Sequence, residues 1–153
     1  MFLSPHRLFY RQKVPLYLEE VFSFFSDARN LQKITPPQLR FEIITPMPMR
    51  LEAGSIIDYR LRLLGVPFRW RTLIRSWDPP HGFVDEQARG PYRLWQHTHR
   101  FRSEGNGTVI EDDLLYRLPL EPLGRLGLPL VRRQLNRIFD YRQQVVAKEL
   151  AAG

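Results

Sequence analysis

Between residues 56 and 118 apolar and polar side chains alternate along the chain. Ile57, Tyr59, Leu61 and Leu63 interleave with Asp58, Arg60 and Arg62. Phe68, Trp70, Thr72 and Ile74 interleave with Arg69, Arg71 and Arg75, and Trp95, His97, His99 and Phe101 with Arg100 and Arg102. Successive side chains of a strand point to opposite faces, so this period of two predicts half-buried strands. Glycine, proline and asparagine mark the breaks. The predicted strands are HRLFYRQKV at 6–14, FEIITP ending at Pro46, IIDYRLRLL running to Gly65, and PFRWRTLIRSW running to Asp78-Pro79-Pro80. GFVDEQA, YRLWQHTHRFR and TVIEDDLLYRLPL complete the series.

The period changes at both ends of the chain. Leu18, Val21, Phe22 and Phe25 follow helical spacing behind Pro15, a residue suited to a first helical turn. A second short helical piece, LQKI, stops at Thr35-Pro36-Pro37. From about Leu123 to Ala151, the residues Leu128, Val131, Leu135, Ile138, Phe139, Val145 and Val146 form one stripe. This predicts a long amphipathic helix, interrupted early by Gly127 and Pro129.

Short turns make consecutive strands antiparallel neighbours, so residues can be paired across each turn. This sets Phe101 opposite Ile110, His99 opposite Asp112, His97 opposite Leu114 and Trp95 opposite Tyr116. It sets Trp95 near Asp85, His97 near Phe83, Ile74 near Asp85, Tyr59 near Thr72 and Leu61 near Trp70. A register slip of two leaves the faces unchanged. One face then gathers the aliphatic and aromatic side chains, with Asp85, Gln87, His97, His99 and Asp112 among them. The other carries eight arginines (60, 62, 69, 71, 75, 100, 102, 117) and four acids (58, 86, 111, 113). An antiparallel sheet with one wet face has this composition, and the long helix has the stripe to cover the other.

The polar residues on the covered face need partners. His97, His99, Asp112 and Asp85 lie among Tyr59, Trp70, Trp95 and Tyr116 on adjacent strands. Four readings are open at this point: a metal site, an acid–base pair of His99 with Asp112, a hydrogen-bonded pair that only holds the sheet, and the polar end of a ligand cavity. The metal reading has only an i, i+2 spacing behind it, and His6 and His81 fall at the periphery, so no metal and no cofactor is expected. Met47 and Met49 would form an adaptable lip to such a cavity. Arg142, at the edge of the helical stripe, would reach an anionic ligand group or a carboxylate.

Composition narrows the class. A chain of 153 residues suits one domain, taken here as 1–153. Cysteine is absent, which excludes a disulfide framework and a thiolate metal site. The net charge of +7 is almost all arginine, lysine standing only at positions 13, 33 and 148. No apolar run approaches the length that crosses a bilayer, and MFLSPHRLFYRQ lacks a signal-peptide core, so a cytoplasmic location is expected. The arginine-rich face reads first as a solvated surface with cross-strand ion pairs. It lacks the interleaved aromatics and the motifs of nucleic-acid binding, so no nucleic-acid partner is expected. A weak contact with anionic membrane stays open, and the pattern fixes no oligomeric state.

The order of these segments resembles the START-like, or Bet v 1-like, superfamily, also called SRPBCC. The resemblance spans essentially the whole chain. It rests on PLYLEEVFSFFSDARNLQKITPP, on GSIIDYRLRLLGVPFRWRTLIRSWDPPHGFVDEQARGPYRLWQHTHRF, and on LLYRLPLEPLG and IFDYRQ. Together these look like the polyketide cyclase-like, ligand-binding bacterial branch. The resemblance implies an α+β helix-grip fold: a curved antiparallel sheet wrapped around a long C-terminal helix, with two short helices after the first strand. It also implies a cavity for a hydrophobic or amphipathic small molecule such as a lipid, a quinone or a polyketide-like compound. The expected cavity residues are Tyr59, Trp70, Asp85, Gln87, Trp95, His97, His99, Asp112, Tyr116 and Arg142. Three functions follow in order of preference: a binding protein, a cyclase/aromatase or dehydratase using His99 and Asp112, and a basic module docking on membrane or nucleic acid.

Overall fold

The alternating segments form seven strands in a single antiparallel sheet, in the order β1-β7-β6-β5-β4-β3-β2. The computed structural model describes residues 4–47 and 49–151. The expected domain 1–153 extends over the remaining six, and Pro48, in the expected methionine lip, is one of them. The strands are β1 (His6–Val14), β2 (Glu42–Ile43), β3 (Ile56–Leu63), β4 (Val66–Asp78), β5 (Gly82–Arg89), β6 (Leu94–Glu104) and β7 (Gly107–Arg117). The helices are α1 (Leu18–Phe25), α2 (Asn30–Lys33) and the long α3 (Leu128–Glu149), with 3-10 turns at Pro37–Leu39 and Leu123–Gly127. This is the helix-grip architecture.

Several boundaries differ from the sequence pattern, each for a local reason. Pro15 does not open α1. Thr108 donates from its hydroxyl to the Leu16 carbonyl at 2.8 Å, and the chain bends at Pro15 and Leu16 before the helix begins at Leu18. The expected strand FEIITP contracts to two residues, because the amides of Ile44 and Thr45 both donate to the one carbonyl of Asp58. β7 stops at Arg117, since Pro119 has no N–H and Glu121 accepts the Leu118 amide at 2.6 Å.

Register between β6 and β7 follows the turn at Gly105: Phe101 faces Ile110, His99 faces Asp112, His97 faces Leu114 and Trp95 faces Tyr116. Two other registers are displaced by two residues. Asp85 faces His97 rather than Trp95, and Tyr59 faces Trp70 rather than Thr72. The faces survive both slips. In β4 the register shifts between Ile74 and Ser76. An extra residue there reverses the alternation, so Trp77 packs inward with Phe22 and Phe83. Such irregularities bend a strand, and here they help the sheet curl around α3.

The core has two main lobes under that curl, beside a smaller cluster of Ala28, Leu51 and Ile57. Phe22, Phe25, Phe83, Phe101, Ile110 and Val146 fill one, and Trp70, Tyr92, Leu114, Tyr116, Leu135 and Phe139 fill the other. Each such side chain contributes about 1.5–3 kcal/mol by leaving water. On α3 the buried positions are Leu135, Phe139, Arg142 and Val146. Arg142 therefore lies in the middle of the buried stripe, not at its edge.

Candidate functional site

Five charged or ionisable side chains from four elements converge where the lobes meet. They are Asp85 on β5, His97 and His99 on β6, Asp112 on β7 and Arg142 on α3. Pleating brings the first four to the inner face, and the helical period brings Arg142 down between Phe139 and Val146. His97, His99, Asp112 and Arg142 are buried. The carboxylates and imidazoles pair diagonally. Asp112 faces His99 along the backbone, yet its Oδ1 accepts from His97 Nε2 at 2.8 Å. Asp85 faces His97, yet its Oδ2 accepts from His99 Nε2 at 2.5 Å. The expected His99–Asp112 pair is thus replaced by two crossed pairs, with His99 Nδ1 left 3.6 Å from Asp112. The imidazole rings lean along the strand and stack at 3.7 Å, and Phe83 stacks on His99 at 4.1 Å.

Arg142 closes the network. Its Nη2 donates to Asp112 Oδ1 at 3.1 Å and meets His99 Nδ1 at 3.3 Å. A guanidinium only donates, so Nδ1 of His99 accepts and the ring's proton resides on Nε2, facing Asp85. His97 carries its proton on Nε2, facing Asp112.

These contacts set the charges. Burial drives the His99 pKa down to about 4, with the charge of His97 next in effect and the hydrogen bond and charge of Asp85 pulling the other way. Burial opposes ionisation of Asp112, but Arg142 and then the hydrogen bond from His97 hold it well below the ordinary carboxylate range. Burial opposes ionisation of Asp85 too and is the largest single effect, but the hydrogen bond from His99 together with the charges of His99, His97 and Arg142 holds its carboxyl below the ordinary range. With His99 neutral, two carboxylates face one guanidinium and the imidazole of His97.

Asp85, His97 and His99 each offer a ligand atom within 4.8 Å of the others. Two imidazoles and a carboxylate are an iron or zinc donor set. The tautomer opposes that use. A metal on His99 Nε2 needs a proton on Nδ1, which would then point at the donor Nη2 of Arg142.

A cavity of about 150 Å³ adjoins the cluster. Phe25, Ala28, Ile34, Phe41, Ile57 and Phe139 form apolar walls, and Tyr59, Asp85, Trp95, His97, His99 and Arg142 also line it. Tyr59 shares a hydrogen bond with Thr72 at 3.0 Å, and burial raises its phenol pKa so that it stays neutral. Four of the ten expected residues do not line the space. Trp70 packs edge-on against Trp95, Tyr116 is fully buried against Tyr92, and Asp112 lies behind His97 and Arg142. Gln87 spends its amide on the β5–β6 turn, bonding both the amide and the carbonyl of Tyr92. The wall residues from α1, α2 and their flanks were absent from the sequence-based set. Their helical or loop positions carry no signal of facing a cavity until the segment is folded over the sheet.

A seven-stranded antiparallel sheet gripping a C-terminal helix is the fold of START-like and Bet v 1-like proteins. Residues 14–140 match the family described as polyketide cyclase / dehydrase and lipid transport, and the chain belongs to it. Among solved structures, the chain is similar to a START superfamily protein from Mycobacterium smegmatis, at 14% identity and a TM-score of 0.73 over 95% of this chain and 97% of that one. It is similar to the protein TTHA0849 from Thermus thermophilus, at 19% identity and a TM-score of 0.70, again over 95% and 97% of the two chains. A ginseng major latex-like protein from Panax ginseng shares the fold at 10% identity and a TM-score of 0.67, over 97% and 99%. No curated protein matches the sequence. The family supports ligand binding in general, and no helix among the described residues is long and apolar enough to cross a membrane.

Proposed function

We propose that the chain binds a small apolar molecule with a polar head in the cavity between the sheet and α3. One observation carries this reading: an apolar space whose ionisable groups, Asp85, His97, His99 and Arg142, all converge on it. A purely structural cluster would close on itself. This one does not: among the described residues His97 Nδ1 has only Asp85 Oδ2, 3.9 Å away, beyond hydrogen-bond reach. The fitting head group therefore carries a hydroxyl to meet that nitrogen, as a phenol or an enol does. Tyr59, Asp85, Trp95, His97, His99 and Arg142 would touch the ligand, while Trp70, Asp112 and Tyr116 support them. A volume of about 150 Å³ suits roughly one aromatic ring and is below the range typical of drug-sized ligands. The ring of a quinol or of a small phenolic polyketide-like compound fits. A long acyl chain needs the α1–α2 cover to open.

The crossed pairing favours a second reading in one respect. Asp112 accepts from Nε2 of His97, and His97 lines the cavity. In a cyclase or dehydratase, His97 rather than His99 would accept a proton from an acidic O–H or C–H, with Asp112 stabilising the imidazolium.

Native mass spectrometry of freshly purified protein, followed by organic extraction, tests the binding reading. A co-purifying small molecule that is absent from Ala28→Leu, which fills the cavity from a buried position, supports it. Protein that stays empty against phenols, quinones and fatty acids overturns it. Turnover of a bound compound that His97→Gln abolishes while binding persists would establish the second reading.

A further inference from the structure

Single exposed leucines are ordinary, but a contiguous apolar patch is not. Leu120, Leu123, Leu126 and Leu130 are 80%, 75%, 85% and 55% exposed. Three of them, Leu123, Leu126 and Leu130, recur at intervals of three and four through the 3-10 turn and the first turn of α3, so they follow one face. Arg133 and Arg137 continue that face. Across a groove of about 620 Å³ stands the β3–β4 turn, and Arg62, Leu64, Leu130, Arg133 and Arg137 all line the groove. Leu64 and Val66 at the turn are 55% and 51% exposed. Charge here has one sign. Residues 122–139 hold four arginines and no acid, and residues 59–77 hold five arginines and no acid. The acids that bound the first stretch are engaged: Glu121 holds Arg125 at 2.8 Å, and Asp140 accepts from Tyr10 at 3.1 Å.

We propose that this end of the molecule docks on an anionic lipid bilayer. The leucines enter the boundary between headgroups and acyl chains, and Arg62, Arg133 and Arg137 meet lipid phosphates. Leucine tips backed by arginines match the two layers of such a surface. A second copy of the chain would bring the same arginines to the interface and repel. A nucleic acid would use the arginines and leave the leucines in water. Apart from Arg62 at its edge, the surface differs from the outer sheet face that the sequence pattern offers for membrane contact. There Arg71, Arg75, Arg100 and Arg102 bond Asp58, Glu86, Asp113 and Glu111. Ile138 lines both the groove and the inner cavity, so docking would set the cavity wall beside the lipid.

Vesicle flotation tests docking without reference to what fills the cavity. The probes are phosphatidylcholine vesicles, alone or mixed with phosphatidylglycerol. Wild type should float with the mixed vesicles, less so at high salt. The double variants Leu123→Ser/Leu126→Ser and Arg133→Glu/Arg137→Glu should each weaken partitioning about tenfold or more, and Trp95→Ala should not. Circular dichroism confirms that the variants fold, which the exposure of the two leucines favours. Failure of wild type to float overturns the proposal. Flotation that the leucine variant leaves intact overturns it as well, because bare electrostatics would then suffice. So does a wild-type dimer that the leucine variant converts to monomer, or duplex DNA that competes with vesicles and binds the leucine variant equally.

Discussion

Replacing Arg142 by methionine tests the electrostatics of the cluster. Methionine keeps an unbranched apolar stem on α3, against Phe25 and Phe139, and removes the cluster's one guanidinium. Taking away one partner of a buried ion pair costs about 3–5 kcal/mol, because the remaining charge is uncompensated. Packing of the thioether chain returns about 1 kcal/mol. The net loss should be about 2–4 kcal/mol at about pH 8. That loss should depend on pH. Without Arg142 the His99 imidazole faces Asp85 and Asp112 with one opposing cation fewer, so its folded-state pKa rises from about 4, while burial, the largest cause of its depression, still holds it below the unfolded value. A group whose folded pKa lies less far below its unfolded value, about 6.5, loses less stability as pH falls. At about pH 5.5 the variant should therefore lose less stability than wild type, by up to about 1 kcal/mol. Wild type has the steeper slope. With the His99 pKa lowered to about 4, the folded state binds fewer protons than the unfolded chain, so stability falls as pH drops from about 6.5 towards 4. Urea unfolding followed by tryptophan fluorescence at the two pH values gives both quantities. A loss under about 1 kcal/mol at the higher pH, or an equal loss at both, refutes the reasoning.

Two further outcomes check the geometry. Long-range proton–nitrogen NMR at neutral pH should find His99 protonated on Nε2, as Arg142 requires; an Nδ1-protonated His99 would remove the objection to metal ligation by Asp85, His97 and His99. Gly82→Ala should destabilise by about 2 kcal/mol or more in the same urea assay, because its Cβ would collide with the His99 carbonyl across the β5–β6 ladder. An unchanged midpoint would mean that the two strands separate more easily than their register suggests.

The alternation was enough to place side chains on faces, since a period of two survives a two-residue error. It was not enough to identify neighbours. Asp85 facing His97 instead of Trp95 follows from the β5–β6 turn, where Gln87 folds onto Tyr92 and displaces the ladder. Nothing in the order of Gly90 and Pro91 announces that contact. The β4 irregularity that turns Trp77 inward is equally silent, because an inserted residue looks like a simple lapse in alternation.

The crossed pairs show where strand logic ends and side-chain geometry begins. Backbone register correctly set His99 opposite Asp112. Diagonal neighbours on one face are nonetheless within reach of long side chains, and the choice between straight and diagonal pairing belongs to rotamers. Here Arg142 makes the choice intelligible. Its Nη2 occupies the space between Asp112 and His99, so His99 turns its Nε2 to Asp85, and Asp112 takes His97 instead. That arginine comes from a helix whose period told which residues form its stripe but not how far the stripe slides along the sheet. One turn of displacement would bring Phe139 or Val146 to the cluster and leave two carboxylates unopposed. The docking of α3 therefore decides which imidazole faces the cavity with a free acceptor. In this fold the acid–base character of the site is a property of the packing between helix and sheet, even though every residue that expresses it, Arg142 aside, lies on the sheet.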